Sequence, residues 1–384
     1  MPSLYVHVPF CIRKCDYCAF YSVPLRAGAE SCQSENSLVQ TYLKGLKKEI
    51  ELRKKDASKG VSSLFIGGGT PTALPEAELA EFLALLKRGF DIPEAAEQTI
   101  ESNPGTLTSE KLQILKRSGI NRISLGVQSF NDSLLKQIGR IHTATDVHEG
   151  VKLIREAGFH NLNLDLMFGL PGQTLKDWQE TLIKAVHFEP EHLSVYGLMV
   201  EEDTPLARNP KLLTILPGDE LQAQMYEWAG KYLREAGYNH YETSNFARPG
   251  FECQHNLGYW RGNDYLGLGP GAVACTHNVR SKNIEDITQY AGCLDQNRLP
   301  IDPAEAEVLS LQNRMAERII LGLRLSEGVN LRVFKQEFGQ DIRDIYRSVL
   351  ERYVLANVLV IDDETLSINP DYWFVANGIL EEFV

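Results

Sequence analysis

The first 240 residues alternate short β-like runs with amphipathic stretches of helical spacing, and this alternation constrains the fold more than any other feature. In one such stretch, Leu38, Tyr42, Leu46 and Ile50 recur at the interval that places them on one face of a helix. Strands that alternate with helices pair in parallel, so the pattern predicts six β/α units that end near Gly237. Six units are two short of a closed eight-unit barrel, and the predicted fold is an open, partial (β/α)6 barrel over residues 1–237. The predicted strands are 4–8, 63–66, 98–101, 122–127, 162–167 and 192–197.

Two further regions follow the predicted barrel. Residues 238–300 are rich in Gly and aromatic residues and are predicted to be an irregular connecting segment. Residues 301–384 are predicted to form a C-terminal α+β module in which helices precede a hairpin, an order that resembles a winged helix. Earlier in the chain, the polar stretch 26–37 predicts a loop.

The charge balance argues against a nucleic-acid partner. The chain has 39 basic and 51 acidic residues, which gives a net charge of −12. The C-terminal module alone has 8 basic and 15 acidic residues. Binding to a phosphate backbone depends on an excess of Lys and Arg, so neither the whole chain nor the module is expected to bind DNA or RNA.

Composition and cysteine usage indicate a globular protein of a reducing compartment. Hydrophobic residues make up 43% and charged residues 23% of the chain, which is typical of proteins with large cores. No apolar run approaches the roughly 20 residues that span a bilayer, and the N-terminus does not resemble a secretory signal. Seven cysteines is an odd number, which favours free thiols over a disulfide framework. The predicted location is therefore the cytoplasm, and the scattered Cys32, Cys253, Cys275 and Cys293 are expected to be inert thiols.

Three cysteines follow the first predicted strand within one short loop. Cys11, Cys15 and Cys18 have the spacing CxxxCxxC. A closed zinc site needs four ligands, and no fourth Cys or His follows at a usual distance. Three thiolates suit a cubane iron–sulfur cluster in which the fourth iron stays open. A small molecule with an amine and a carboxylate could chelate that iron. The alternatives are structural thiols or an incomplete zinc site.

Other unusual residues also fall where predicted strands end, which is where parallel β/α folds place their chemistry. The turn that contains Gly68, Gly69 and Thr70 lacks the Lys of a P-loop and the spacing of a dinucleotide motif. It is either an ordinary βα turn or a backbone edge for hydrogen bonds to a ligand. Glu101 and Asp165 are either solvated carboxylates at strand ends or groups that bind an ammonium group or ribose hydroxyls of a ligand. Arg140 could bind a carboxylate.

These motifs together resemble the radical S-adenosylmethionine superfamily. Within it, HVPFCxxxCxYC, GGGTPT, ESNP, LGVQSF, LDLMFGLPGQT and HNxxYW resemble one branch over nearly the whole chain. That branch contains the oxygen-independent coproporphyrinogen III oxidases and the HemW-type haem chaperones. The resemblance implies that Cys11, Cys15 and Cys18 bind a [4Fe–4S] cluster.

The same resemblance implies a set of cofactor-binding residues. Tyr5, Gly68 and Glu101 match positions that contact the methionine part of the cluster-bound S-adenosylmethionine or groups near it. A second group matches positions that line a second S-adenosylmethionine in the oxidase, and whether this chain binds one or two stays open. This group consists of Tyr17, Gly69, Thr70, Gln128, Arg140 and Asp165.

Departures from the oxidase pattern favour the chaperones. The oxidase usually continues its cysteine motif as CxC, whereas this chain has Phe20 there. The oxidase also has a long N-terminal extension, whereas ten residues precede Cys11 here. The resemblance therefore implies haem binding and delivery to respiratory proteins, with transient contact at the inner membrane and no stable insertion. The alternative is a radical enzyme whose 5′-deoxyadenosyl radical removes hydrogen from a porphyrinogen propionate.

His255 opens the segment HNLGYW and is the candidate axial haem ligand. Tyr259 and Trp260 would offer aromatic surface to the macrocycle. The alternative is a hydrogen-bonded structural histidine, and Cys253 is a second candidate ligand.

Overall fold

All six predicted strands form in the computed structural model, which describes residues 1–25 and 32–384. The strands in chain order are β1 (Ser3–Val8), β2 (Phe10–Cys11), β3 (Val23–Pro24), β4 (Ser63–Gly68), β5 (Glu97–Ser102), β6 (Arg122–Gln128), β7 (Leu162–Phe168), β8 (His192–Gly197), β9 (Asn239–Glu242), β10 (Asn245–Ala247), β11 (Tyr265–Leu268), β12 (Val273–Thr276), β13 (Val279–Asn283), β14 (Ile301–Val308), β15 (Val329–Asn330), β16 (Leu359–Ile361) and β17 (Thr365–Ile368).

Helices connect these strands. In chain order they are α1 (Cys32–Arg53), α2 (Glu76–Gly89), α3 (Ser109–Arg117), α4 (Asp132–Gln137), α5 (Ala144–Glu156), α6 (Leu175–His187), α7 (Pro210–Leu213), α8 (Asp219–Glu235), α9 (Gln254–Trp260), α10 (Ile287–Asp295), α11 (Leu311–Gly322), α12 (Leu331–Phe338), α13 (Ile342–Ile345), α14 (Arg347–Leu355) and α15 (Ala376–Leu380), with short 3₁₀ helices at Lys54–Ala57, Pro71–Ala73, Pro370–Val375 and Glu381–Phe383. In the described ranges, no helix has the length and apolar character needed to cross a membrane.

The six predicted strands are neighbours in one sheet and all run in parallel. Their order is β1-β4-β5-β6-β7-β8, which is the order in which they follow one another along the chain. The prediction of an open six-unit parallel array is therefore confirmed. Its carboxyl ends meet at one edge, and this edge carries the cysteine loop.

The two faces of the sheet differ in chemistry, as β1 illustrates. Leu4, Val6 and Val8 are buried in the main hydrophobic core with Tyr42 and Leu46 of α1. The alternate residues of β1, which are Ser3, Tyr5 and His7, face the other way because side chains alternate along a strand. The inner face of β1 consequently carries polar and aromatic side chains that line a cavity.

The prediction of irregular chain between 238 and 300 is wrong. This region extends the sheet on both sides: β11 pairs in parallel with β1 and continues into β12 and β13, whereas β10 pairs antiparallel with β8. These strands have only three to five residues, too short for the period-two pattern to stand out among glycines. The pairing partners on the array lie far away in the sequence, so local pattern could not identify them.

The C-terminal module has its own core but begins later than predicted. Strand β14 pairs with β13 in the large sheet, although the sequence assigned residues 301–308 to the module. From α11 onward, a separate apolar cluster forms around Ile319, Phe334 and Trp373. Strands β15, β17 and β16 form a small antiparallel sheet beside these helices. Helices followed by a hairpin is the order that the sequence predicted.

The predicted loop at 26–37 is only partly covered by the structure. Residues 26–31 lie outside the described residues, whereas 32–37 form the first turns of α1 and are not a loop. Polar composition alone does not distinguish a loop from a helix terminus.

A buried carboxylate joins α1 to the extension of the sheet. Glu49 is fully buried and accepts hydrogen bonds from the Gly269 backbone N–H at 2.8 Å, Asn283 Nδ2 at 2.7 Å and the Tyr290 hydroxyl at 2.7 Å. The guanidinium of Arg53, one turn further along α1, lies 3.4 Å away. Glu49 therefore satisfies donors from three separate segments that follow β11.

Substitution of Glu49 by Ala should destabilise the fold strongly. It would leave buried donors and the Arg53 charge without a partner, and breaking such a set costs about 3–5 kcal/mol. Urea unfolding under reducing conditions measures the loss. The matched control is Glu51→Ala on the exposed side of the same helix, for which we expect a change within about 0.5 kcal/mol. Equal losses in the two variants would contradict the anchoring role of Glu49.

Candidate functional site

The cysteine loop lies at the carboxyl edge of the parallel array. Strand β2 places Cys11 beside the end of β1, and the Asp16 backbone joins this loop to Ile138 and Leu206 by hydrogen bonds of 3.0 and 2.8 Å. Cys11 is buried, whereas Cys15 and Cys18 are partly exposed. Backbone hydrogen bonds at Asp16 thus fix the loop. Cys15 and Cys18 remain accessible at the carboxyl edge of the array, which we call the rim.

A hydrogen-bond chain through Asn103 connects two of the three thiols. Thr70 Oγ1 donates to Cys11 Sγ at 3.5 Å and accepts from Asn103 Nδ2 at 2.7 Å. On the other side, Asn103 Oδ1 accepts from Arg140 Nη2 at 2.7 Å, and Arg140 Nη1 donates to Cys15 Sγ at 3.5 Å. Both sulfurs therefore have donors aimed at them, and donors to sulfur stabilise thiolates and tune iron–sulfur centres.

The three thiols fit a cluster better than a single metal ion. Burial raises the pKa of Cys11 and of Cys18, and the charges of neighbouring cysteines raise them further, so the sulfurs are close enough to interact. Within the described ranges, no three His, Cys, Asp or Glu side chains have the arrangement of ligands around one ion. In a cubane cluster each thiolate binds a different iron, so the sulfurs need not converge on one point. The donor set is compatible with a [4Fe–4S] cluster.

Gly69, directly after β4, allows the backbone to approach residues 8–11, the segment that ends in Cys11. The N–H groups of Gly69 and Thr70 donate to Val8 O and Phe10 O at 2.9 and 2.6 Å. A Cβ on Gly69 would lie 2.4 Å from the Phe10 oxygen. These N–H groups are therefore used within the protein, and the backbone edge can offer a ligand carbonyl oxygens rather than N–H donors.

Gly68 has a positive φ of 103°, and a Cβ on it would meet the His7 ring at 2.4 Å. Its N–H donates to Glu101 Oε2 at 3.1 Å. A side chain at position 68 would thus collide with the His7 ring, whether or not a ligand is bound. A substitution here tests the fold of the strand end rather than ligand binding.

The predicted carboxylates lie on β5 and β7, on either side of β6, and influence each other. Burial, with the charge of Asp165 next in importance, raises the pKa of Glu101 to about 8. Burial also raises the pKa of Asp165, whose oxygens accept from Ser124 Oγ at 3.0 Å and Asn163 Nδ2 at 2.7 Å. The array therefore brings together two carboxyl groups that a cationic ligand would help to ionise.

The remaining rim residues have specific surroundings. Gln128 is buried at φ 64°, an unfavourable conformation for a residue other than Gly, at the irregularity between β6 and β7. Tyr17 packs against Leu134 and Met167, and burial raises the pKa of its hydroxyl. Arg140 donates to Cys15, Asn103, the Gly126 carbonyl and His142. At most one of its N–H groups is left over, so it does not present the free fork expected for a ligand carboxylate.

A cavity of about 470 Å³ runs along the inner face of β1. Ser3, Tyr5 and His7 line it from one end of the strand to the other, a span of about 13 Å. Phe20, on the cysteine loop, lines the end near His7, and its side chain is 66% exposed. His255 also lines this cavity.

His255 lies at the opposite end of β4 from Gly68, so the structure does not bring it to the rim. Its Nδ1 is 3.1 Å from Ser63 Oγ, at the start of β4, and its ring packs at 5.1 Å against Phe65. Burial lowers the pKa of His255 to about 4, so the ring is neutral near pH 7. No described residue has a hydrogen bond to its Nε2. The imidazole is held through Nδ1, and its Nε2 has no partner among the described residues.

The other candidates for haem contact, in and next to α9, differ in their position relative to the cavity. Tyr259 lines the cavity and is 40% exposed, whereas Trp260 packs with Tyr241 and Leu257 and does not line it. Trp260 points away from this cavity because consecutive helical residues point about 100° apart, so its expected contact with haem stays a prediction. Cys253 is fully buried and its thiol donates to Glu97 at 3.2 Å, which makes it a poor ligand.

Sequence reasoning missed several residues that organise this region. Asn103 was noted only as part of ESNP, although it connects the two thiol-binding side chains. His7 bridges the two parts of the site: its Nδ1 is 3.0 Å from the Tyr5 hydroxyl and its ring lies against Gly68. For Ser63, the sequence predicted only that it lies in a strand. Its contact with His255 spans 192 positions, so no local signal could have revealed it.

Two family models match the chain in consecutive parts. Residues 5–185 match the radical SAM superfamily, and residues 309–375 match the HemN C-terminal domain. The second match begins after β14, in agreement with the start of the separate core.

Relatives with the same description cover between 70% and 100% of the chain. The haem chaperone HemW of Lactococcus lactis is 34% identical over 100% of this chain and 97% of that protein. HemW of Bacillus subtilis is 36% identical over 91% and 90%, and HemW of Escherichia coli is 39% identical over 70% and 69%. Among solved structures, the coproporphyrinogen III oxidase HemN of Escherichia coli, a radical SAM enzyme, superposes with a TM-score of 0.85 at 25% identity and covers 100% of this chain and 90% of that one.

The raised pKa of Glu101 predicts a pH-dependent contribution to stability. In the unfolded chain this carboxyl ionises near its ordinary value of 4.5, whereas in the fold it stays protonated until about pH 8. Unfolding therefore releases a proton in this window, and the free energy of unfolding should fall as the pH rises through it. Glu101→Gln should remove this part of the pH dependence, measured by urea unfolding of the metal-free protein. Glu110→Gln, at an exposed position of α3, is the control. Identical pH profiles for wild type and Glu101→Gln would contradict the assignment.

Proposed function

The chain belongs to the HemW family of haem chaperones within the radical SAM superfamily, and from this premise we propose that it binds haem at His255 and transfers it to respiratory proteins. The protein would also bind a [4Fe–4S] cluster and S-adenosylmethionine at the carboxyl edge of its barrel. The observation that carries the proposal is the imidazole of His255, which is neutral, fixed through Nδ1 and placed on a large cavity.

The surroundings of His255 support a role as a metal ligand. Such residues usually donate their other ring N–H to an oxygen, which fixes the ring and leaves the second nitrogen free for the metal. Here Ser63 Oγ is the oxygen, at 3.1 Å from Nδ1. The N–H groups of Gln254 and His255 donate to Glu97 at 3.0 and 3.1 Å, so the start of α9 is held as well.

The cavity is suited to a flat, largely apolar ligand. Its volume of about 470 Å³ lies within the range of about 300–1,000 Å³ for small-molecule sites. Aromatic side chains form much of its wall, among them Tyr5, Phe20, Tyr259 and Tyr265. Burying a macrocycle against such rings is favourable beyond the iron–nitrogen bond.

The cluster would be held by Cys11, Cys15 and Cys18, with Thr70 and Arg140 donating to two of the sulfurs. When bound, a cluster with an open iron supplies a site that can chelate S-adenosylmethionine and transfer one electron to it. Glu101 and Asp165 would orient the cationic cofactor. The exposed Phe20 near the cysteine loop also lines the cavity, so the two ligands would be neighbours.

A second candidate function is oxidation of coproporphyrinogen III, which the whole-chain similarity to HemN supports. Phe20 favours the chaperone, because the oxidase usually has a cysteine there. Anaerobic incubation of the reconstituted protein with coproporphyrinogen III, S-adenosylmethionine and a reductant separates the two. Appearance of decarboxylated product would favour the enzyme.

Cys15→Ser should abolish the cluster while the chain stays folded. We expect the anaerobically reconstituted wild type to be brown, with broad sulfur-to-iron absorption and about four irons per chain, because each thiolate holds one iron of a cubane. The variant should lose this absorption. Cys293→Ser, a partly exposed cysteine of α10, should retain it. Full iron content in Cys15→Ser would overturn the cluster assignment.

His255→Ala should weaken haem binding while the cluster remains. Wild-type protein should give a Soret shift on titration with haem, and the variant should lose most of it because the iron loses its axial nitrogen. Ser63→Ala should weaken haem binding by about tenfold, the usual effect of removing the group that orients a ligand. His160→Ala, at an exposed position, should behave as wild type. Unchanged affinity in His255→Ala would move the ligand elsewhere, and absence of haem binding by wild type would end the chaperone proposal.

A further inference from the structure

We propose that the cavity on β1 binds its tetrapyrrole in one orientation, in which Lys282 binds a propionate carboxylate and His255 faces the iron. The inference rests on the proposed function, because it assigns the second end of the same cavity. It adds a specificity element: the protein should distinguish a tetrapyrrole with free propionates from its ester.

The cavity has an apolar part and a charged part. Its aromatic residues come from β1, the cysteine loop and the segment around α9. Its charged residues come from β13 and the chain after it: Arg280, Lys282 and Glu285. Arg280 and Lys282 are two positions apart in β13, so both point to the same face of the strand. Haem has the same division, since its two propionates lie on one edge of an apolar macrocycle.

Arg280 is already fixed by two carboxylates. Its Nε donates to Glu307 at 2.8 Å and its Nη1 to Glu317 at 2.7 Å. These contacts connect β13 with β14 and α11, so the charge of Arg280 is compensated within the protein. Its role at the cavity is to position β13 rather than to bind the ligand.

Lys282 is the cation that can exchange its ion-pair partner, Glu285, for a carboxylate of the ligand. Its Nζ lies 2.7 Å from Glu285 Oε1, and the two side chains are 33% and 49% exposed. Glu285 raises the pKa of Lys282, so the amine is charged at neutral pH. An exposed ion pair of this kind contributes little to stability. A propionate placed at the charged end could therefore replace Glu285, whose carboxylate would return to water.

Ligand orientation follows from this exchange. With a carboxylate at Lys282 and the macrocycle against Tyr259 and Tyr265, the iron is directed to the imidazole on α9 rather than to His7. Both nitrogens of His7 have hydrogen-bond partners, Tyr5 at 3.0 Å and the Tyr21 carbonyl at 2.9 Å. Unlike His7, His255 has a ring nitrogen without a hydrogen-bond partner among the described residues.

The test compares haem with haem dimethyl ester as ligands of the full-length protein with its cluster reconstituted anaerobically. Soret titrations give both affinities for wild type, Lys282→Met and Lys48→Met. Lys48 is a matched control, because its side chain is also 33% exposed and its Nζ is also 2.7 Å from a carboxylate, that of Asp295, outside the cavity lining. Wild type and Lys48→Met should prefer haem over the ester by about tenfold, the effect of one hydrogen bond between charged groups. Lys282→Met should bind the two ligands equally well, with an ester affinity close to that of wild type.

A second variant tests the exchange from the other partner. Glu285→Gln frees Lys282 without removing it, so haem should bind more tightly and the ester should be unaffected. Equal affinity of wild type for haem and ester, or a preference that survives in Lys282→Met, would overturn the inference and leave haem binding at His255 intact. If wild type bound neither ligand, the proposed function itself would fail.

Discussion

The close approach of two backbones, 67–70 and 8–11, is the constraint on which the rest of the site depends. Hydrogen bonds from Gly69 and Thr70 to Val8 and Phe10 hold the end of β4 against the segment that leads to Cys11. Any side chain at position 69 would prevent this contact, since its Cβ would lie 2.4 Å from a carbonyl oxygen. The approach places the Thr70 hydroxyl beside Cys11, and through Asn103 it fixes Arg140 beside Cys15.

The two proposed sites are separate but share a wall. Tyr5 and His7 line the cavity, and His7 also lies against Gly68. A cofactor at the carboxyl edge would thus meet residues that also contact a ligand in the cavity. His7 therefore belongs to the surfaces of both proposed sites.

The sequence located most of the fold and of the rim but not the cavity. The parallel strands were predictable because short β-like runs alternate with helical stretches, and the rim residues followed because parallel strands end at one edge. The chemistry of individual rim residues was less accessible. Arg140 was expected to bind a ligand carboxylate, yet it is occupied by Asn103, Gly126, His142 and Cys15. Which partner an arginine selects depends on segments that are distant in sequence.

The sequence by itself determined the order of the six β/α units, the position of Cys11, Cys15 and Cys18 in one loop, and the family. Tertiary structure alone decided where His255 lies and what it contacts. Its partners are Ser63 and Glu97, and they meet α9 only because β11 pairs with β1 and carries the chain back across the array. Local periodicity specifies which face of a strand or helix is buried. It does not specify which distant strand completes a sheet, because that choice is made by packing.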